Sequence, residues 1–195
     1  RRRYDQGVGW VSDAERRVTQ RFVAAPTLGY AVLRIANPTY EAYEGREIFS
    51  MYDFQYAKAL SVADAATRLK ATEGSKLLAG GMTLLPTIKL RLAKPSALID
   101  LGALADLKGI DVSGGTVTVR AMTRHADVAR SPAVAKAIPA LVTLAGGIGD
   151  VQVRHRGTIG GSIANNDPAA DWPAAVLALG ATIVTNRRQI AADQF

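Results

Sequence analysis

The sequence predicts an α+β fold, a small α/β unit followed by a mixed unit, and three observations lead there. After Met51, short apolar strands alternate with helices, the first of them clearly amphipathic. Two glycine pairs, Gly80-Gly81 and Gly160-Gly161, interrupt the pattern next to apolar runs. Between them, Ser113-Gly114-Gly115 separates two stretches of alternating residues, as a β-hairpin requires.

The elements follow in order. Ser61-Val62-Ala63-Asp64 reads as a capping box with Asp in place of Glu, and Val62, Ala65, Ala66 and Leu69 form one apolar helical face. Lys76-Leu77-Leu78-Ala79 reads as a short buried strand. After Gly80-Gly81, Thr83 is the expected N-cap of a helix that turns Leu84, Leu85, Ile88 and Leu92 inward. Pro86 falls in its first turn, where a missing N–H costs little. Ala97 to Leu101 is the next strand. Ile110–Val112 and Thr116–Arg120 form the hairpin, and Thr123–Arg130, Ile138–Ala145 and Asp171–Leu179 are helical candidates. Thr182–Thr185 is expected to pair with Arg188–Ala191. Residues 51–105 make the first subdomain on this reading and 106–195 part of a second.

Residues 1–50 differ in character. They hold eight arginines, six carboxylates and no lysine, whereas all seven lysines lie beyond Met51. Weak hydrophobic periodicity marks them as an extension of unclear origin, expected to be poorly ordered.

Composition excludes several functions. The chain of 195 residues is 48% hydrophobic, enough for an ordinary core. Its net charge of +7 is scattered, and no aromatic platform alternates with the basic residues as single-strand nucleic-acid binding needs. There is no cysteine, so these residues hold neither a disulfide nor a cysteine-ligated iron–sulfur cluster. Two histidines, His125 and His155, are too few for an ordinary zinc site. The apolar run Ala174–Val184 is too short to span a bilayer, which needs roughly 20 residues, and no signal peptide follows the N-terminal arginines. The expected location is cytoplasmic.

The chemistry is expected at the glycine pairs. Gly80-Gly81 lies between a strand and a helix, where bare backbone can approach a ligand and offer N–H groups to phosphate oxygens. Thr158-Ile159-Gly160-Gly161-Ser162 repeats the arrangement, and Asn165, Asn166, Asp167, Pro168 and Asp171 follow it. One such loop holds a phosphate; two can clamp a pyrophosphate through the amides of both pairs. The plainer alternatives are a strand-to-helix turn at Gly80 and a helix N-cap at Asp171, with Pro173 in the first turn. Asp167 and Asp171 make a poor candidate for a metal or acid–base pair, having no histidine beside them. Gly114-Gly115 and Gly146-Gly147 serve as controls, a hairpin and a helix end. Gly147-Ile148-Gly149 fails as a dinucleotide fingerprint because Gln152 occupies the third glycine position. Gly74-Ser75-Lys76 fails as a Walker motif because Leu69 stands at the earlier glycine.

Taken together, Leu78-Ala79-Gly80-Gly81-Met82-Thr83-Leu84-Leu85-Pro86 with Lys89 resembles the first FAD motif of the medium, flavoprotein subunits of the xanthine dehydrogenase and carbon monoxide dehydrogenase family of molybdenum hydroxylases. Gln152-Val153-Arg154, then Gly157 to Ser162 and Asp167-Pro168-Ala169-Ala170-Asp171, resembles the second. The resemblance runs from Met51 to Phe195. It implies a two-subdomain FAD-binding domain of the vanillyl-alcohol-oxidase (PCMH) type, incomplete at Phe195. Leu78, Ala79, Gly80, Gly81, Met82 and Thr83, with Thr158, Ile159, Gly160, Gly161 and Ser162, would then bind the cofactor around its pyrophosphate. Asn165, Asp167 and Asp171 would contact its flavin side, and Ile148 would lie near the ring. By the same resemblance, molybdopterin belongs to a large partner subunit and two [2Fe–2S] clusters to a small one, with FAD passing their electrons to an external acceptor. Two residues depart from the family pattern: Met82 stands where a polar residue is common, and Ser162 where Asn is common. A flavin-free docking domain and a stand-alone FAD reductase of related fold are the alternatives.

Overall fold

The computed structural model describes residues 51–195, so the expectations for residues 1–50 lie outside the described residues. The described chain opens with β1 (Gln55–Lys58), α1 (Val62–Ala71), β2 (Lys76–Leu78), α2 (Leu84–Lys89) and β3 (Ala97–Asp100). The three strands form one parallel sheet in the order β1-β3-β2. The last strand takes the centre because Ala97, Leu98 and Ile99 are an unbroken buried run, which suits a strand covered on both faces. β2 is therefore an edge. The expectation of a buried strand at Lys76–Ala79 is overturned, since Leu77 is 40% exposed and, among the described residues, nothing pairs with that side of the strand.

Helix α1 starts where its sequence says. The Ser61 hydroxyl accepts the N–H of Asp64 at 3.0 Å, and the Asp64 carboxylate accepts the N–H of Leu60, one residue before the cap. Ala65 is buried, but Leu69 at the far end of the apolar face is exposed.

Helix α2 differs more from expectation. Ile88 is fully buried and Leu84 and Leu85 are half-buried, yet Leu92 is 76% exposed. The helix stops at Lys89, and Arg91 takes a left-handed conformation (φ 58°) that turns the chain away from the helical path. Thr83 holds the N-cap position of α2 as expected, but with αR backbone and no side-chain capping bond.

The second part holds β4 (Ile110–Ser113), β5 (Thr116–Val119), α3 (His125–Ala129), α4 (Pro132–Ala137), α5 (Pro139–Gly147), α6 (Val151–Arg156), α7 (Ile159–Asn165), α8 (Asp171–Ala178), β6 (Thr182–Val184) and β7 (Gln189–Ala191). β4 and β5 pair as the expected hairpin, with positive φ at Gly114 and Gly115, and β6 pairs with β7. Val128, Val134, Leu141, Ala145, Ile159, Ile163, Trp172 and Ala175 make the core of this part. A separate, smaller core of Ala59, Ala65, Ile99 and Leu104 lies under the parallel sheet. No helix among the described residues is long and apolar enough to cross a membrane.

Three helices were not read from the sequence: α4, α6 and α7. Ser131 caps α4, Asp150 caps α6 through the N–H of Val153 at 2.8 Å, and Thr158 caps α7 through the N–H of Gly161 at 3.2 Å. The second glycine segment is therefore the first turn of a helix and not a loop. Asp171 is not the N-cap of α8 as the plainer reading had it; Ala170 holds that position and Asp171 lies in the first turn.

Candidate functional site

The carboxyl end of β2 runs straight into Ala79-Gly80, the position where open α/β sheets usually place ligands. Here that end meets the turn from α6 into α7. A Cβ at Gly80 would lie 2.2 Å from the carbonyl oxygen of Arg156 and 2.8 Å from Cα of Gly157. Gly80 therefore lets the two segments touch backbone to backbone. Gly81 follows with φ +75°, a conformation that disfavours any side chain.

The two glycine pairs do different work. Among the described residues, the N–H groups of Gly80, Gly81, Met82 and Thr83 donate to no protein acceptor. In the second pair the donors are taken. Gly160 N–H donates to Ala121 O at 2.8 Å, Gly161 N–H to the Thr158 hydroxyl, and Ile159 N–H to Thr123 O. The expectation that both pairs offer amides to a ligand fails for the second, because a capped helical turn consumes them. Close approach is what these glycines allow. A Cβ at Gly160 would lie 2.6 Å from Cβ of Ala121, and one at Gly161 would lie 3.4 Å from Cβ of Ala79.

Between the two segments lies a cleft of about 580 Å³. Of the residues singled out in the sequence, Ala79, Gly80, Gly81, Met82, Thr83, Ile148, Thr158, Gly160, Gly161, Ser162, Asn165 and Asp167 line it. Leu78, Ile159 and Asp171 do not. Ile159 is buried in the second core, and the Leu78 side chain packs behind Gly81. Arg154 holds one wall in place: its Nη1 donates to the carbonyl oxygens of Ile148 (3.0 Å) and Gly149 (2.8 Å), fixing the segment that carries Ile148. Asp167 organises its own turn by accepting the N–H of Ala169 at 2.9 Å.

Sequence reasoning missed His125 and Trp172. His125, only 4% exposed, also lines the cleft. Trp172, 1% exposed, donates its indole Nε1–H to His125 Nδ1 at 2.9 Å, with the rings 5.9 Å apart and 30° from parallel. Nδ1 is thereby an acceptor, and the neutral imidazole carries its proton on Nε2. Nothing local could reveal this pair, whose members lie 47 residues apart in the chain.

Burial holds the His125 imidazole below its ordinary value, against an opposing pull from the Asp171 carboxylate. A histidine kept neutral in the folded chain takes up its proton more readily once unfolded. Its burial therefore contributes stability in full above about pH 6.5, and that contribution is lost as pH falls from there through the lowered folded value. The melting temperature should drop more for the natural chain than for His125→Gln between about pH 7.5 and about pH 5. Parallel melting profiles would remove His125 as the source.

The family described as the FAD binding domain in molybdopterin dehydrogenase matches residues 52–195. The nicotine 6-hydroxylase medium subunit of Paenarthrobacter nicotinovorans is 42% identical over 143 residues, covering 71% of this chain and 50% of that protein. The carbon monoxide dehydrogenase medium chain of Hydrogenophaga pseudoflava is 44% identical over 147 residues, covering 73% and 51%. A solved carbon monoxide dehydrogenase from H. pseudoflava, lacking the Mo-pyranopterin moiety of its molybdenum cofactor, superimposes with a TM-score of 0.71 at 42% identity, over 74% of this chain and 52% of that one. The chain thus spans about half the length of the relatives it matches.

Proposed function

The chain belongs to the family of FAD-binding domains of molybdopterin dehydrogenases, and from that premise we propose that the seam at Gly80 and Gly157 holds the pyrophosphate of FAD. The observation that carries the reading is the run of four unpaired amides, Gly80 to Thr83, lining a cleft whose opposite wall leaves no room for a Cβ at Gly80. Unpaired N–H groups in sequence form a concavity suited to an anion. The residues present therefore fit the group.

Each wall then has a task. The Gly80–Thr83 amides bind the phosphates. Gly160 and Gly161 draw α7 close, so that Thr158 and Ser162 border the cofactor with Asn165 and Asp167 beyond them. Ile148, held by Arg154, packs near the ring and excludes water. Leu78, Ile159 and Asp171 act from behind these residues, not by contact. Bound there, FAD supplies the electron-transfer chemistry, as is usual where a cofactor carries the reaction. In the whole protein, electrons would arrive from iron–sulfur clusters on a small partner subunit, fed by a molybdopterin-bearing large subunit that oxidises the substrate. They would leave for an external acceptor. The absence of cysteine from this sequence agrees with clusters carried elsewhere.

Titrating the purified chain with FAD tests the binding step. The expected result is saturable quenching of flavin fluorescence at one FAD per chain, and a linear, unsaturated response would overturn it. Iron and molybdenum recovered with the chain from its host would support the relay. Flavin recovered without either metal would favour a stand-alone reductase.

A further inference from the structure

We propose that His125 donates its Nε2–H to a pyrophosphate oxygen of the bound dinucleotide, and that Trp172 is the positioning residue that keeps this donor on the correct nitrogen. The inference rests on the reading that the cleft holds FAD. His125 is more than nine-tenths buried, lines the cleft, and has its Nδ1 committed to the Trp172 indole. No acceptor meets Nε2, yet no side-chain nitrogen or oxygen sealed from solvent lacks a partner among the described residues. Nε2 must therefore open onto the cleft that His125 lines.

Its place there points to the phosphates. A Cβ at Gly157 would lie 2.7 Å from Nε2, and Cα of the same Gly157, with the Arg156 carbonyl, is among the atoms that leave no room for a Cβ at Gly80. The His125 backbone N–H also donates to Gly157 O at 3.0 Å, tying the histidine to the seam. Nε2 thus stands beside Gly157, which borders the stretch whose four amides are unpaired, and both line the same cleft. A neutral imidazole with a fixed tautomer offers a donor there and no acceptor. That suits an anionic oxygen, and a bond to a charged acceptor is among the stronger hydrogen bonds. The sequence of dependence runs from α8 through the indole to Nδ1, and from Nε2 to the ligand.

The test compares the chain with the double variant His125→Phe/Trp172→Phe, which removes both buried partners together and so leaves neither polar group stranded. FAD and ADP should bind on the order of tenfold to a hundredfold more weakly to the variant, while riboflavin, which has no phosphate, should bind as before. In the unsubstituted chain, the His125 Nε2–H proton resonance should move downfield on adding ADP. Trp172→Phe alone should populate the Nδ1–H tautomer by nitrogen NMR and weaken ADP binding without removing the imidazole. An unchanged FAD affinity in the double variant, or an Nε2–H signal that ADP does not move, would overturn the proposal. So would an equal loss for riboflavin, which would indicate a packing role. Failure of the unsubstituted chain to bind FAD would instead bring down the reading of the cleft itself.

Discussion

Gly80→Ala is expected to abolish measurable FAD binding and to cost about 1–3 kcal/mol of folding stability, although it adds a single methyl group. The methyl carbon would lie 2.2 Å from the Arg156 carbonyl oxygen and 2.8 Å from both Arg156 C and Gly157 Cα. All three are backbone atoms, so no side chain can swing aside. The segments must separate, and the unpaired amides then lose their place opposite Gly157. Gly146→Ala is the matched control. Its Cβ would meet nothing within 4 Å inside helix α5, where alanine is preferred over glycine by about 0.5–1 kcal/mol. In urea unfolding the two variants should move in opposite directions, and in flavin titration only Gly80→Ala should lose binding. FAD affinity within twofold of the natural chain in Gly80→Ala would show that the seam is not the site.

Trp172→Ala should produce the largest loss of stability, about 3–5 kcal/mol, as for other buried aromatic truncations. Trp172 is among the largest fully buried side chains described and packs in the second core with Val128, Ile159 and Ile163. The truncation also removes the donor to His125 Nδ1 and leaves a buried nitrogen without its partner. Domains of this kind hold only about 5–15 kcal/mol in total, so a partly unfolded population at ordinary temperature is expected. Trp172→Phe should cost less, since it retains most of the ring. Leu92→Ala, at a leucine that the periodicity placed inward but that stands in solvent, should stay within about 0.5 kcal/mol. Chemical denaturation that ranked Leu92→Ala above Trp172→Ala would contradict the assignment of the core.

What the sequence determined by itself was local or carried by motif. The Ser61–Asp64 cap, the glycine-turned hairpin at Gly114-Gly115 and the pairing of β6 with β7 depend on neighbours within a few residues, and each formed as read. The two long motifs likewise identified the family and its cofactor, because their residues stand in a fixed order along the chain. Other matters were decided only by tertiary structure. β2 became an edge because β3, arriving later in the chain, supplied the more thoroughly apolar run and took the middle of the sheet. Gly160 and Gly161 look like a loop in sequence, where glycine disfavours helix. They open α7 because Thr158 caps that turn, Ala121 packs where a Gly160 side chain would be, and the Thr158 hydroxyl stands where a Gly161 side chain would be. The equivalence of the two glycine pairs dissolved for the same reason: whether an amide remains free depends on which carbonyl stands opposite it. His125 and Trp172 were invisible for the plainest physical cause. A hydrogen bond between residues 47 positions apart leaves no periodicity behind, and only the packing of α8 on α3 brings the indole to the imidazole.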